Sequence, residues 1–336
     1  ILDTFCIVEF WRQHMEQSKF SMQCYERLKA AAEWLRHLVE PSTGDGPNLG
    51  ANDGARLLPL TVTGYRDYRP TVQLASVLFS GCRAYPNGPW DDTLHWLGVS
   101  LPKQVAPKPE TYLADDGGFA ILRQGEALAL LRYPRFRFRP SQADALHVDY
   151  WIGQENFLRD AGSFSYNTEN RWMIYFSGTE SHNTVQFDDR DQMPRLGRFL
   201  MGSWLKTNWL KALCIKKGCV SFGAGYCDYL GASHRRELKL STHSLRVEDH
   251  VAGFSRKAVL RWRLAPGDWV LKKESQEVQL LCENSSAPKL TIQSSVPLIR
   301  TELTVGWESR FYLKKTELPV LEVEVSSQGR LITEIH

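Results

Sequence analysis

The pattern of apolar and polar positions changes character once along the chain. In the first hundred residues it is helical. Leu28, Ala31, Ala32, Leu35, Leu38 and Val39 recur at the three- and four-residue spacing that lines one face of an α-helix. They predict helix through residues 1–39, ended by Pro41, Gly44 and Gly46. The stretch GDGPNLGANDGARLLPL reads as loop. Val72, Leu74, Ala75, Leu78 and Phe79 predict a second helix over Thr71–Ala84, and Asp91–Gly98 reads as one short helix more. Residues 101–110, LPKQVAPKPE, hold three prolines and two lysines and form the best linker in the chain.

Beyond that linker the period shortens. ALALLRY, ENFLRDAG, HNTVQF, RRELKLS, HSLRVEDHV, KAVLRWRL, EVQLLCE, KLTIQS and LEVEVSS are short, alternating or β-branched, and separated by turn residues. Many strands and few helices predict an antiparallel β-sandwich. No internal repeat or low-complexity segment interrupts it. The expected organisation is α+β and multidomain: a helical piece over residues 1–100, a linker over 101–110, and a large antiparallel β domain over 111–336.

Composition narrows the function classes only a little. A chain of 336 residues is long enough for two domains, each with its own core. It carries no apolar run near the roughly 18 residues that a membrane span needs, so no transmembrane segment is expected. A net charge of +3 is too small to argue for nucleic acid. The 11 Trp, 12 Tyr and 15 Phe supply faces that stack on sugar rings, although most will be core. Seven cysteines with no CxxC pair give neither a zinc ribbon nor a disulfide framework, and buried free thiols are expected. The first residue, Ile1, already lies inside a helical pattern, so the chain reads as a fragment.

Candidate chemistry concentrates between Asp144 and Gln192. His147 and Asp149 sit two apart on an expected strand and so share a face. Asp160 follows on the next strand, and His182 leads the one after. Two imidazoles and a carboxylate can bind Zn²⁺ or a related ion, or the histidines can be hydrogen-bonded structural residues. No HxH or HExxH spacing decides between these. Arg135, Arg137 and Arg139 alternate with Phe136 and Phe138, which on a strand puts three guanidiniums on one face. Such a stripe suits carboxylates or sulfates of an acidic polymer; a solvated strand face is the competing reading. Asp188, Asp189 and Asp191 read as an acidic surface turn. In the helical part, Asn48, Asn52, Asp53 and Arg56 crowd one loop, and TGYRDYRP adds Tyr68 and Arg69. Loops of this composition line polar ligand sites or serve as ordinary caps and turns.

RPSQADALHVDYWIGQENFLRDAGSFSYN and SGTESHNTVQFDDRDQMPR resemble the core motifs of the heparinase II/III-like polysaccharide lyases. GANDGARLLPL, YRDYRP and LRWRLAPGDW extend the resemblance over nearly the whole chain. It implies the end of an incomplete (α/α) toroid followed by a large antiparallel β-sandwich, with the polymer in the cleft between them. It also implies cleavage of a uronic-acid-containing polysaccharide by β-elimination, in the periplasm or cell envelope. On this resemblance Tyr166 and His147 are the catalytic candidates. Asn52, Arg56, Tyr68, Arg69, Arg135, Arg137, Arg139 and Asn183 are expected to contact substrate. Family members that hold zinc carry an HAHAD-like stretch, whereas this chain reads Pro140-Ser141-Gln142-Ala143-Asp144. The ligand set implied for Zn²⁺ or another divalent cation is therefore Asp160, His182 and Gln142, with His147 able to replace the lost imidazole. The toroid residues that perform the elimination in relatives lie ahead of Ile1, so the fragment alone is expected to be inactive. A non-catalytic glycan-binding module of capsule or exopolysaccharide assembly, and a glycoside hydrolase with two opposed carboxylates, are the rival readings.

Overall fold

The helical pattern of the first hundred residues folds into four helices rather than three. A computed structural model of the chain describes residues 1–273, 277–283 and 288–336. The run expected as one helix over residues 1–39 is two, α1 (Leu2–His14) and α2 (Met22–Leu38). The break is chemical: Glu16 takes a positive φ, and the Ser21 hydroxyl accepts the Cys24 N–H as the N-cap of α2. Helix α3 (Arg69–Ser80) starts two residues earlier than expected, with Pro70 in its first turn. It stops at Gly81, whose φ of 69° suits a residue without Cβ. The short helix α4 (Asp92–Trp96) completes the set. Their apolar faces meet at Cys6, Ala32, Leu74, Ala75 and Leu94. Gln73 is buried there and fully bonded, donating to Asp91 and accepting the N–H groups of Ala84 and Tyr85.

The alternating region forms strands β1 (Tyr112–Ala114), β2 (Phe119–Gln124), β3 (Ala127–Arg132), β4 (His147–Ile152) and β5 (Glu155–Leu158), then helix α5 (Asn170–Ser177). Strands β6 (Val185–Phe187), β7 (Arg195–Gly197), β8 (Leu200–Met201), β9 (Thr207–Lys216), β10 (Cys219–Cys227), β11 (Ser233–Ser241) and β12 (Leu245–Ala252) follow. The last are β13 (Ala258–Arg263), β14 (Trp269–Lys273), β15 (Glu277–Cys282), β16 (Leu290–Ser294), β17 (Leu298–Phe311), β18 (Lys314–Val325) and β19 (Gly329–Ile335). Every paired strand is antiparallel.

One sheet runs β1-β2-β3-β4-β5, one β17-β18-β13-β6, and the largest β14-β15-β16-β19-β12-β11-β10-β9. A bridge between Leu158 and Leu264 joins the first two. All three contribute inward residues to one core, from Leu131 and Val148 through Leu260 to Leu240 and Leu331. This is the expected antiparallel sandwich.

The chain divides into two compact units, Ile1–Pro47 with Gly54–Glu110, and Asn48–Asp53 with Thr111–His336. The six residues 48–53 thus pack with the sandwich. Among the described residues no helix is long and apolar enough to cross a membrane. All seven cysteines are free; Cys6 is buried and Cys227 exposed.

Trp262 of β13 is fully buried in the core, donates to Thr333 Oγ1 at 3.0 Å and carries the Arg236 guanidinium over its ring. Trp262→Phe leaves Thr333 without that partner and opens a void. It should lower stability by about 1–3 kcal/mol, read as a shift of the urea midpoint. A midpoint equal to wild type would contradict the placement.

Candidate active site and its supporting network

Asp160 follows β5 and is completely enclosed. Its Oδ1 accepts the Gly162 N–H at 2.7 Å; its Oδ2 faces His182 Nδ1 at 2.9 Å and His147 Nε2 at 3.4 Å. Gly162 can offer that N–H because it lacks a side chain: at φ +76° a Cβ would sit 2.5 Å from the Ser309 carbonyl oxygen.

His147 opens β4, and its Nδ1 accepts the Asn183 backbone N–H at 2.9 Å. A backbone N–H can only donate. The ring is therefore neutral, with its proton on Nε2, which has no hydrogen-bond partner among the described residues. Burial, added to by His182, Arg236 and Arg263 and opposed by Asp160, pushes its pKa down to about 3, in accord. His182 goes the other way. Burial lowers its pKa, but the Asp160 charge and hydrogen bond outweigh that and raise it. For Asp160, burial is outweighed by the two histidines and the donors, so its pKa falls. Asp149 shares the face of β4 with His147, as expected. It accepts Trp151 Nε1–H at 2.6 Å and Asn156 Nδ2–H at 2.8 Å, yet burial and the nearby Asp160 push it up to about 8. The cluster thus sets a raised His182 against a lowered Asp160, beside a neutral His147 and an Asp149 whose pKa is pushed up.

A second layer fixes the segments that carry these groups. Arg236 donates through Nη1 to the carbonyls of Leu146 and Asn183, both at 2.6 Å, and is itself held on Asp249. His234 Nε2 meets the same Asp249 at 2.7 Å. The Asn183 side chain donates to Val148 O and Arg159 O, and accepts the Arg263 N–H at 2.6 Å. Arg263 in turn donates to Tyr175 Oη and to the Trp307 carbonyl. Arg236, Asp249 and Arg263 were not singled out by sequence. The signal was there in β11, where His234, Arg236, Leu238 and Leu240 alternate inward.

These contacts correct several expectations. His147 and Asn183 are sealed from solvent and line no part of the cavity described below, so neither is placed to reach a sugar. Arg135, Arg137 and Arg139 do not form a strand face, because Pro134 and Pro140 bracket an irregular segment with a single bridge, Arg135 to Lys206. Arg135 pairs with Asp115 and Arg137 with Asp116. Arg56 donates to the carbonyls of Gly64, Tyr65 and Asp67. Arg69 is spent on Asp67, Pro41 and Ser42 and stacks on Trp90 at 4.2 Å. Tyr68 precedes α3 half-buried beside Arg66. These three brace the helical unit. Asn52 donates its backbone N–H to Ser163 Oγ at 3.0 Å.

The groups that do face open space lie nearby. A cavity of about 290 Å³ is lined by Arg139, Gln142, Ser163, Tyr166, Arg198 and Phe199, with Met173 and Phe176 among its apolar residues. Gln142 donates to Gly50 O and Gly162 O at 3.3 and 3.4 Å, and its buried Oε1 has no partner. Burial raises the Tyr166 phenol; a Ser163 hydrogen bond opposes this, and Asp53 and Tyr312 add to it.

Ligand atoms of His147, Asp160 and His182 lie within 4.8 Å of one another, the spacing of a metal site. The donor roles fit Zn²⁺ only in part. The free lone pair that His147 would need at Nε2 is replaced by a proton, so it cannot stand in for a missing imidazole. His182 differs: its Nδ1 meets the Asp160 carboxylate and its buried Nε2 has no partner among the described residues, which is the arrangement of a ligating imidazole. What remains is one imidazole, one carboxylate and the Gln142 amide oxygen.

The family model described as heparinase II/III-like, C-terminal, matches residues 106–330. The chain belongs to the heparinase II/III-like family. Solved structures agree on the fold. A heparinase III (the BT4657 gene product, with methylated lysines) superposes with a TM-score of 0.71 at 16% identity, over 94% of this chain and 46% of that one. Another heparinase III gives 0.68 at 14%, over 94% and 49%. Heparan sulfate lyase HepC from Pedobacter heparinus gives 0.63 at 18%, over 89% and 45%. This heparinase II/III-like chain therefore spans under half the length of each of them. Comparison with curated protein sequences gives no match.

The raised pKa of Asp149 has a pH signature. Its folded pKa lies above the ordinary 3.8, so its contribution to stability is complete below that value and is lost as pH rises towards about 8. Asp149→Asn should remove this loss. Urea midpoints of wild type should fall relative to the variant between about pH 5 and about pH 8.5; parallel profiles would show that Asp149 is ionised in the fold.

Proposed function

We propose that this chain is the C-terminal part of a polysaccharide lyase that cleaves an acidic, uronic-acid-containing polysaccharide by β-elimination. In this reading the helical unit is the end of an incomplete (α/α) toroid. The observation that carries the proposal is Tyr166, half-buried in a cavity with the guanidiniums of Arg139 and Arg198. In the elimination a base takes the C5 proton of the uronate, and the electron pair left behind forms the C4–C5 double bond. The C4–O4 bond breaks and an acid protonates the departing oxygen. A phenol whose pKa is raised keeps its proton at neutral pH, so Tyr166 suits the acid and not the base. Guanidiniums suit the uronate carboxylate, whose neutralisation makes the C5 proton removable.

Within this lining Tyr166 is the one group able to give a proton and no residue is set up to take one. The base is then supplied by the part of the parent protein outside this chain. No carboxylate lines the cavity among the described residues, so hydrolysis by two opposed carboxylates has no seat there. The same lack of a base favours, as second reading, a glycan-binding module without turnover. The His147–Asp160–His182 cluster acts in either case by fixing β4, the Gly162 turn and the segment before β6; no step passes through a metal.

The assay is the near-ultraviolet absorbance of the unsaturated uronate, followed with the parent protein on heparan sulfate, hyaluronan, alginate and bacterial capsule. Turnover on one polymer, reduced about a hundredfold or more in kcat by Tyr166→Phe, is expected. Absorbance that never rises on any of them, with one polymer still bound, would replace the lyase by the binding module.

A further inference from the structure

Arginines crowd this end of the sandwich, and most are spoken for. Arg135 and Arg137 pair with Asp115 and Asp116, Arg190 pairs with Asp228, and Arg195 donates to Ser177 Oγ. Arg139 and Arg198 differ. Both are exposed, and among the described residues neither makes an ion pair or a side-chain hydrogen bond. Both line the cavity that holds Tyr166, although they are 59 residues apart in sequence (198 − 139). The walls they share are of two kinds. Tyr166 and Phe199 stand edge to face at 5.5 Å, and the hydroxyls of Ser141 and Ser163 line the same space. Below them the buried Gln142 Oε1, without a partner, offers an acceptor.

Two unpaired cations lining one cavity give it a positive potential, and an anion is the ligand that such a potential favours. The aromatic pair and the acceptor add what a sugar ring requires, an apolar face beside groups that bond hydroxyls. We infer that Arg139 and Arg198 form an anion-holding subsite that grips the charged substituent of one sugar unit while its ring lies against Tyr166 and Phe199. The shared chemistry is a planar or tetrahedral oxyanion, which a guanidinium meets with two parallel N–H donors. The inference rests on the lyase reading for the polymer's identity. Its stereochemical content is independent: one anionic group per bound sugar, held by two arginines from separate loops.

The test is binding of this chain to heparan-type oligosaccharides by calorimetry, in three arms. One retains carboxylates and lacks sulfate, one retains sulfate with its carboxyls reduced, and one lacks both. Arg139→Ala and Arg198→Ala should each weaken binding of an anionic arm on the order of tenfold, with the neutral arm indifferent to both. The arm that loses most identifies carboxylate or sulfate as the gripped group. Arg198→Lys should recover only part of the loss, because the fork geometry is gone. Circular dichroism checks that the variants are folded. Unchanged affinity of every anionic arm in both alanine variants would overturn the subsite. The two proposals fail separately. Arginine-dependent binding by this chain, with no turnover by the parent, removes the lyase and keeps the subsite. Turnover by the parent with KM unmoved by Arg198→Ala removes the subsite and keeps the lyase.

Discussion

A buried carboxylate, Asp160, is the constraint around which this sandwich end is arranged. A carboxylate taken wholly out of water costs several kcal/mol unless donors replace its hydration. Two donors do so, His182 ahead of β6 and the Gly162 backbone, with the His147 ring at the start of β4 3.4 Å from the same oxygen as His182. Satisfying that one charge therefore brings together segments that belong to different sheets. The Gly162 turn, fixed in this way, leads directly to Ser163 and Tyr166 at the cavity. Burial that would be a liability for stability becomes a device for register.

The same requirement explains why residues of similar type divide so sharply in role. His147 and Asn183 are committed to backbone groups, and Arg236 bonds the carbonyls on either side of them. Arg139, Arg198 and Tyr166 sit where the chain leaves regular structure, on loops and irregular segments, and line the cavity. The interior network sets positions and the rim makes contacts. This division also accounts for the partial fit of zinc. A metal needs lone pairs pointed inward, and His147, whose Nδ1 accepts the Asn183 N–H, has a proton on Nε2 where a lone pair is required.

Much of the fold was legible. Alternation located about half of the strands of the sandwich, β11 and β12 among them, where inward and outward faces differ strongly, but not β9, β10, β17 or β19. The helical half was less so, since a single periodicity over residues 1–39 cannot reveal a break made by a positive φ at Glu16 and a Ser21 cap. At the site, sequence named the residues that the fold brings together (His147, Asp149, Asp160 and His182) but not the partners that hold them. Residue type gives the chemistry a side chain can do. Whether its lone pair or proton is already spent depends on partners such as the Asn183 N–H, which no spacing encodes. Arg198 escaped notice for a related reason: its neighbourhood carries no motif, and only the fold places it beside Arg139's cavity.

The protonation of the two histidines tests this account most directly. Long-range ¹⁵N–¹H correlation of the imidazoles should show His147 neutral with its proton on Nε2 from about pH 5 to about pH 8, and His182 protonated on both nitrogens beside Asp160. Added Zn²⁺ should leave both patterns unchanged. A His147 ring with its proton on Nδ1, or stoichiometric displacement of both rings' signals by zinc, would contradict it and make the cluster a metal centre.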